Sequence, residues 1–167
     1  MLENLLQLVT EHAGQAIVQN PAIPNEHNGA AIQSVTNSIV SGLQGQLQGG
    51  GAQQLIGLLA GQQGIQGNPI VNAISQNAVG NLMQQFGIQN QQAEQIVSQL
   101  LPTVMQQFVQ KTNDPADSSF DLNGIVNSLS GGQVPSDIGG ILNQFTGGQA
   151  QQGGIGNVLG GLGKLFG

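Results

Sequence analysis

The sequence contains no cysteine, no tryptophan, no tyrosine and no arginine. Without thiols it has no disulfide framework and no thiolate nucleophile, and a zinc site would need both histidines plus distant carboxylates. Its only cations are Lys111 and Lys164, set against eight Asp and Glu, for a formal net charge of −6. Phosphate backbones are gripped through Lys and Arg, so nucleic acid is not an expected partner. Charged residues make up 6% of the chain, where about 25% is usual. No apolar run approaches the roughly 20 residues that cross a bilayer as a helix. The opening Met1-Leu2-Glu3-Asn4-Leu5-Leu6 has no basic stretch ahead of an apolar core, so no secretory signal peptide is expected. The default compartment is therefore the cytoplasm, with extracellular assembly left open.

Gln and Asn fill the place of the missing charges, at about a quarter of the chain, and there are 27 glycines. Amide groups both donate and accept hydrogen bonds, and weak like-charge repulsion leaves such surfaces free to meet. The 167 residues are 38% hydrophobic, which suits one domain with or without appended helices. A chain of this size hides roughly two thirds of its unfolded surface.

Apolar spacing predicts helices throughout. Leu2, Leu5, Leu6, Val9, Ala13, Ala16 and Ile17 share one face of a first helix, which Asn20-Pro21 and Pro24 end. Asn25 or Asn28 is the expected cap of a second helix, striped by Ile32, Val35, Ile39, Leu43 and Leu47. Gly42 and Gly45 weaken that helix by about 1 kcal/mol each and leave a groove for a neighbour. A short helix is expected around 55–59. Asn68-Pro69 then reads as an N-cap with Pro at the first helical position. Ile70, Ile74, Ala78, Leu82 and Phe86 recur every four residues, and Gly87 with Ile88 reads as a left-handed stop. Asn90 is the expected cap of the next helix, whose stripe runs from Ala93 to Val109. Pro102 lies inside it and predicts a kink. Asp121 reads as a further cap. After it the unit apolar-x-x-apolar-apolar-x-x-apolar recurs at Leu122/Ile125/Val126/Leu129, Ile138/Ile141/Leu142/Phe145 and Ile155/Val158/Leu159/Leu162. Helices this short need something to lie on. The expected fold class is all-α, a small helical bundle with a central helix-turn-helix pair and short amphipathic C-terminal helices. The segments are a helical pair at 1–48, a Gly/Gln-rich linker with a short helix at 49–67, the central core at 68–112, a turn-rich loop at 113–121, and short helices on Gly-rich joints at 122–167.

Asn68-Pro69-Ile70-Val71, Leu82-Met83-Gln84-Gln85-Phe86-Gly87-Ile88, Ala93 and Leu100-Leu101-Pro102 together resemble the YidB-like bacterial family, domain of unknown function 937. The phrase Lys-Thr-Asn-Asp-Pro-Ala-Asp-Ser-Ser-Phe-Asp at 111–121 and the opening Met-Leu-Glu-Asn-Leu-Leu are similar to its Bacteroidetes-type members. The resemblance implies a small helical fold with a homeodomain-like core, and no activity. Gln and Asn stand here where relatives more often carry Lys, Asp and Glu.

Candidate chemistry is sparse. His12 and His27 each follow a glutamate, but adjacent residues on a helix do not face each other. Asp114, Asp117 and Asp121 offer hard oxygen ligands that suit calcium, although an Asx turn and a helix cap account for the same residues. Gly160-Gly161-Leu162-Gly163-Lys164 lacks the hydroxyl residue of a phosphate loop. No Gly-x-Ser-x-Gly elbow is present. A weakly basic 155–166 segment with Lys164 gives little attraction to a membrane surface. No enzyme activity and no cofactor are expected. The leading expectation is a structural protein that self-assembles through helix faces, into a filament or array. Its packing residues are Leu122, Ile125, Ile138, Ile141, Leu142, Phe145, Ile155, Val158, Leu159 and Leu162. The alternative is a small monomeric or dimeric binding or adaptor module.

Overall fold

A computed structural model describes residues 2–134 and 136–146, with the backbone alone at Ser136, Asp137, Phe145 and Thr146. Seven α-helices follow one another, and no strand occurs among the described residues. They are α1 (Leu2–Ala13), α2 (Asn28–Gln48), α3 (Ala52–Leu59), α4 (Pro69–Phe86), α5 (Asn90–Thr112), α6 (Leu122–Leu129) and α7 (Ser136–Thr146). The protein is all-α.

α1 runs into a π-helical turn, Gly14–Val18, which carries Ala16 and Ile17 into the core. The buried face of α1 is Leu5, Leu8, Val9 and Ala13, while Leu2 is 50% exposed. The core stripe is therefore rotated toward Leu8 from the expected one. A 3-10 turn, Asn25–His27, leads into α2. Neither Asn25 nor Asn28 caps α2. The residue before the helix is His27, without a side-chain cap bond, and Asn28 is the first helical residue, its side-chain Nδ2 donating to Asn25 Oδ1 at 3.4 Å. The 3-10 turn supplies the entry that a capping side chain would otherwise make.

α2 is the central helix of the bundle. It packs against α1, α4, α3 and α6. Ile32, Val35, Ile39, Leu43 and Leu47 are all buried, as the stripe predicts. Burial extends beyond that stripe to Ser34, Thr36 and Ser38. The Thr36 and Ser38 hydroxyls donate to the carbonyls of Ile32 and Ser34, each at 2.8 Å, which satisfies them without leaving the helix. Asn81 of α4 donates to Ser38 Oγ at 2.8 Å. At Gly42 an added Cβ would collide with Ile74 Cγ1. Gly42 is thus the seat of a side chain from α4, whereas the space around Gly45 is open.

α4 and α5 form the expected helix-turn-helix pair. Asn68 Oδ1 accepts from the Ile70 amide at 2.9 Å, Pro69 opens the helix, and Gly87 closes it at φ 64° with its amide on the Met83 carbonyl. The next helix begins differently from expectation. Gln89 precedes it, and Gln92 Oε1 accepts from the Gln89 amide at 3.1 Å. Asn90 is the first helical residue, and its side chain donates to Glu94. α5 continues as one α-helix through Pro102 to Thr112.

The C-terminal repeats lie on the body. α6 rests on α2 and α7 on α3. Leu122, Ile125, Val126 and Leu129 are buried, as are Ile138 and Leu142, and Ile141 packs alongside. One continuous cluster of buried side chains draws on all seven helices.

Candidate functional site

Two lines of residues run down α4 four apart. Ile70, Ile74, Ala78 and Leu82 turn inward and are buried. Val71, Ser75, Val79 and Met83 form the adjacent line along the α4–α5 seam; Val71 is buried, and Val79 and Met83 are partly buried against the core. On α5 the residues Asn90, Gln91, Glu94, Gln95 and Ser98 face them across a cleft of about 730 Å3. Gly80 also lines it. A second cleft of about 250 Å3 shares Ser75 and Ser98 with the first and continues past Val71, Leu101 and Pro102 to Ile65 and Gly67. Together they make one open groove along the antiparallel pair.

Among the described residues, Glu94 is the only ionisable one lining either cleft. Its Oε1 accepts from Asn90 Nδ2 at 2.7 Å. The remaining walls are amides, hydroxyls and apolar side chains. Such a lining can hold a partner by shape and hydrogen bonds. It has no general acid–base pair and no nucleophile with an adjacent base.

The Asp loop folds on itself. Asp114 Oδ1 accepts from the Ala116 amide at 2.9 Å, Asp117 Oδ1 from the Ser119 amide at 3.1 Å, and Asp121 Oδ2 from the Gly124 amide at 2.9 Å. Asp121 caps α6 as expected. Each carboxylate is directed to its own stretch of backbone. Among the described residues no three His, Asp or Glu side chains are grouped so as to hold a metal ion. Lys111 Nζ donates to Asp117 Oδ2 at 3.2 Å and lies 5.6 Å from the Phe120 ring centroid. This hydrogen bond to the ammonium holds the Asp117 carboxyl below the ordinary aspartate range. Asn4 Nδ2 donates to the Ser119 carbonyl at 3.0 Å, tying the loop to α1.

The histidines sit apart. His12 lines a small cleft with Glu11, Gln99 and Thr103, and His27 faces Phe86 with ring centroids 6.2 Å apart. Of the expected packing residues, Leu122, Ile125, Ile138 and Leu142 are buried within this chain and Ile141 is partly so. The Phe145 side chain and Ile155, Val158, Leu159 and Leu162 lie outside the described residues. No helix among the described residues is long and apolar enough to cross a membrane.

A profile described as a bacterial protein of unknown function, DUF937, matches residues 68–167. The chain belongs to the DUF937 family. The DUF937 match begins at the Asn68 cap and takes in α4, α5, α6 and α7, including the whole of the 71–83 line and its α5 counterpart. No curated protein and no solved structure matches the chain.

The groove residues escaped the sequence analysis because the inward line of α4 is the more apolar of the two. The signal was present in Val71, Val79 and Met83, spaced at eight and four residues beside it. A helix apolar on two adjacent lines has more to cover than one neighbour takes.

Proposed function

We propose that this DUF937 protein is a non-enzymatic interaction module, and that the α4–α5 groove is its recognition surface. The observation that carries this reading is the groove itself, long, open, lined by amides over a partly apolar floor, and holding one carboxylate. Recognition sites join an apolar floor to a few polar groups that set orientation. Leu122, Ile125, Val126 and Leu129 of α6 and Ile138 and Leu142 of α7 are buried inside the chain, so those side chains offer little to a second molecule. Nucleic acid remains a poor candidate, since α5 carries Lys111 alone and that lysine is engaged with Asp117.

The chain's lack of cysteine makes a direct test simple. A single Gln76→Cys chain carrying a photo-cross-linker should join a discrete partner in the native cell extract. The same linker at the exposed Gln33 of α2 should not. Equal patterns from the two positions would count against the groove as the recognition surface.

A second reading, self-assembly, rests on the nearly uncharged, amide-coated surface. Light scattering of the full chain separates the two, since a module gives a discrete species and an assembling protein gives particles that grow with concentration.

A further inference from the structure

We propose that Asn123-Gly124, in the first turn of α6, is a self-modification site whose asparagine hydrolyses to aspartate or isoaspartate, and that the Asp121 side chain holds this reaction in check. None of the three residues lines the groove.

The chain has two Asn-Gly pairs, at 28–29 and at 123–124. Such pairs are reactive because glycine puts no side chain beside its own amide nitrogen and lets the backbone turn toward the preceding side chain. The Gly124 nitrogen gives its proton to hydroxide and bonds to Asn123 Cγ. The Cγ–Nδ2 bond breaks, and Nδ2 leaves as ammonia with a proton taken from water. The five-membered imide that remains adds one water. Opening at one carbonyl yields aspartate. Opening at the other yields isoaspartate, in which the backbone runs through the former side chain. Water is the only co-reactant.

Helical backbone keeps nitrogen and Cγ from the approach the ring requires, so the reaction goes through local opening. The two pairs differ in how readily they open. Asn28 begins α2, a helix of 21 residues at the centre of the bundle, and its Oδ1 is buried. A buried oxygen has no water to stabilise the charge that builds on it during attack. Asn123 is exposed, in a helix of eight residues, and two turns are marginal alone. α6 is held by its packing on α2 and by Asp121, whose Oδ2 accepts from the Gly124 amide at 2.9 Å. The donor in that bond is the reacting nitrogen itself. While the bond is made, the proton stays on nitrogen and the first turn stays helical. Packing does not require glycine at 124, since an added Cβ meets only Asp121 Oδ2, at 3.6 Å.

The change is one-way. Isoaspartate lengthens the backbone and puts the amides after it out of register with α6, whose Ile125 and Val126 are buried. Either product sets a new carboxylate two residues from Asp121, and like charges at that range repel. α6 therefore loosens from α2 as the molecule ages.

The test ages the folded full chain in mildly alkaline buffer and digests it with trypsin. Lysine occurs only at 111 and 164 and arginine nowhere, so the two pairs fall in different peptides. Hydrolysis adds about 1 Da. The 112–164 peptide should gain it first, with fragmentation placing it at Asn123, while Asn28 stays intact. Asp121→Ala should quicken the reaction about fivefold, the equivalent of a lost cap, and speed hydrogen exchange of the Gly124 amide by the same factor. Asp121→Asn, which keeps an acceptor oxygen, should age at the parent's rate. Gly124→Ala should all but stop the reaction. In urea the parent and both Asp121 variants should react alike.

Asn28 reacting as fast as Asn123 in the folded chain overturns the proposal. An Asp121→Ala chain that ages at the parent's rate does the same. So does an Asp121→Asn chain that ages as fast as Asp121→Ala, because the hydrogen bond is then not the guard. A difference among the three that persists in urea assigns the effect to local sequence and equally defeats the claim.

Discussion

Gly42 and Gly45 stand three residues apart in α2 and look alike in the sequence. Their surroundings differ. A methyl group at 42 collides with the fully buried Ile74, whereas one at 45 enters open space. Glycine in a helix interior is worse than alanine by about 1 kcal/mol. Gly45→Ala should therefore raise stability by about 0.5–1 kcal/mol. Gly42→Ala should lower it by about 1–3 kcal/mol, because overpacking outweighs propensity. Urea denaturation followed by circular dichroism measures both. A gain at 42 would mean that Ile74 can step aside. Asp117 gives a second residue-scale test. Its carboxyl titrates below the usual aspartate value in the folded chain, held there by Lys111. Its contribution is then present above the unfolded value near 4 and is lost as pH falls through the folded value. Asp117→Asn keeps an oxygen for the Ser119 amide. It should be less stable than the parent at neutral pH and indistinguishable near pH 2. A gap that persists in acid would assign the effect to packing.

At the scale of elements, the ends of α4 and the start of α6 were readable because each depends on a few neighbouring residues. Asn68-Pro69, Gly87 and Asp121 do what their chemistry dictates. Asn25, Asn28 and Asn90 did not become caps, because the 3-10 turn and the Gln89–Gln92 bond start those helices instead. Several residues in each stretch could have served, and local sequence does not rank them. Asp121→Ala should cost about 1 kcal/mol, and Gly87→Ala, at a positive φ, about 1 kcal/mol. Hydrogen exchange at the Gly124 amide, which Asp121 holds, should rise in the first variant. Unchanged exchange would mean that α6 is set by its packing on α2 alone.

For the whole molecule, apolar periodicity announced every helix of the described body but not which helix lies on which. The most extensive helix pairing joins α2 to α4. It was hidden because on the α2 side it includes Gly42, which receives Ile74, and Ser38, which accepts from Asn81, and neither residue belongs to the apolar stripe. The groove was hidden for the related reason that only packing decides which line of α4 borders it. The family match starts at residue 68, yet α4 packs on α2, which precedes it, and the buried Ile74 sits against Gly42. Residues 68–167 expressed alone should therefore bind the dye ANS and melt without a sharp transition. The full chain should unfold cooperatively. A fragment with a sharp transition and no dye binding would show that α1, α2 and α3 are accessories.

The seat at Gly42 also limits the order in which this protein can change over evolutionary time. Enlarging residue 42 is tolerated only in a lineage that has already trimmed residue 74, so the two substitutions must arrive in one sequence and not the reverse. One of these positions lies inside the span that defines the family and the other outside it, which ties the drift of the two halves of the gene together.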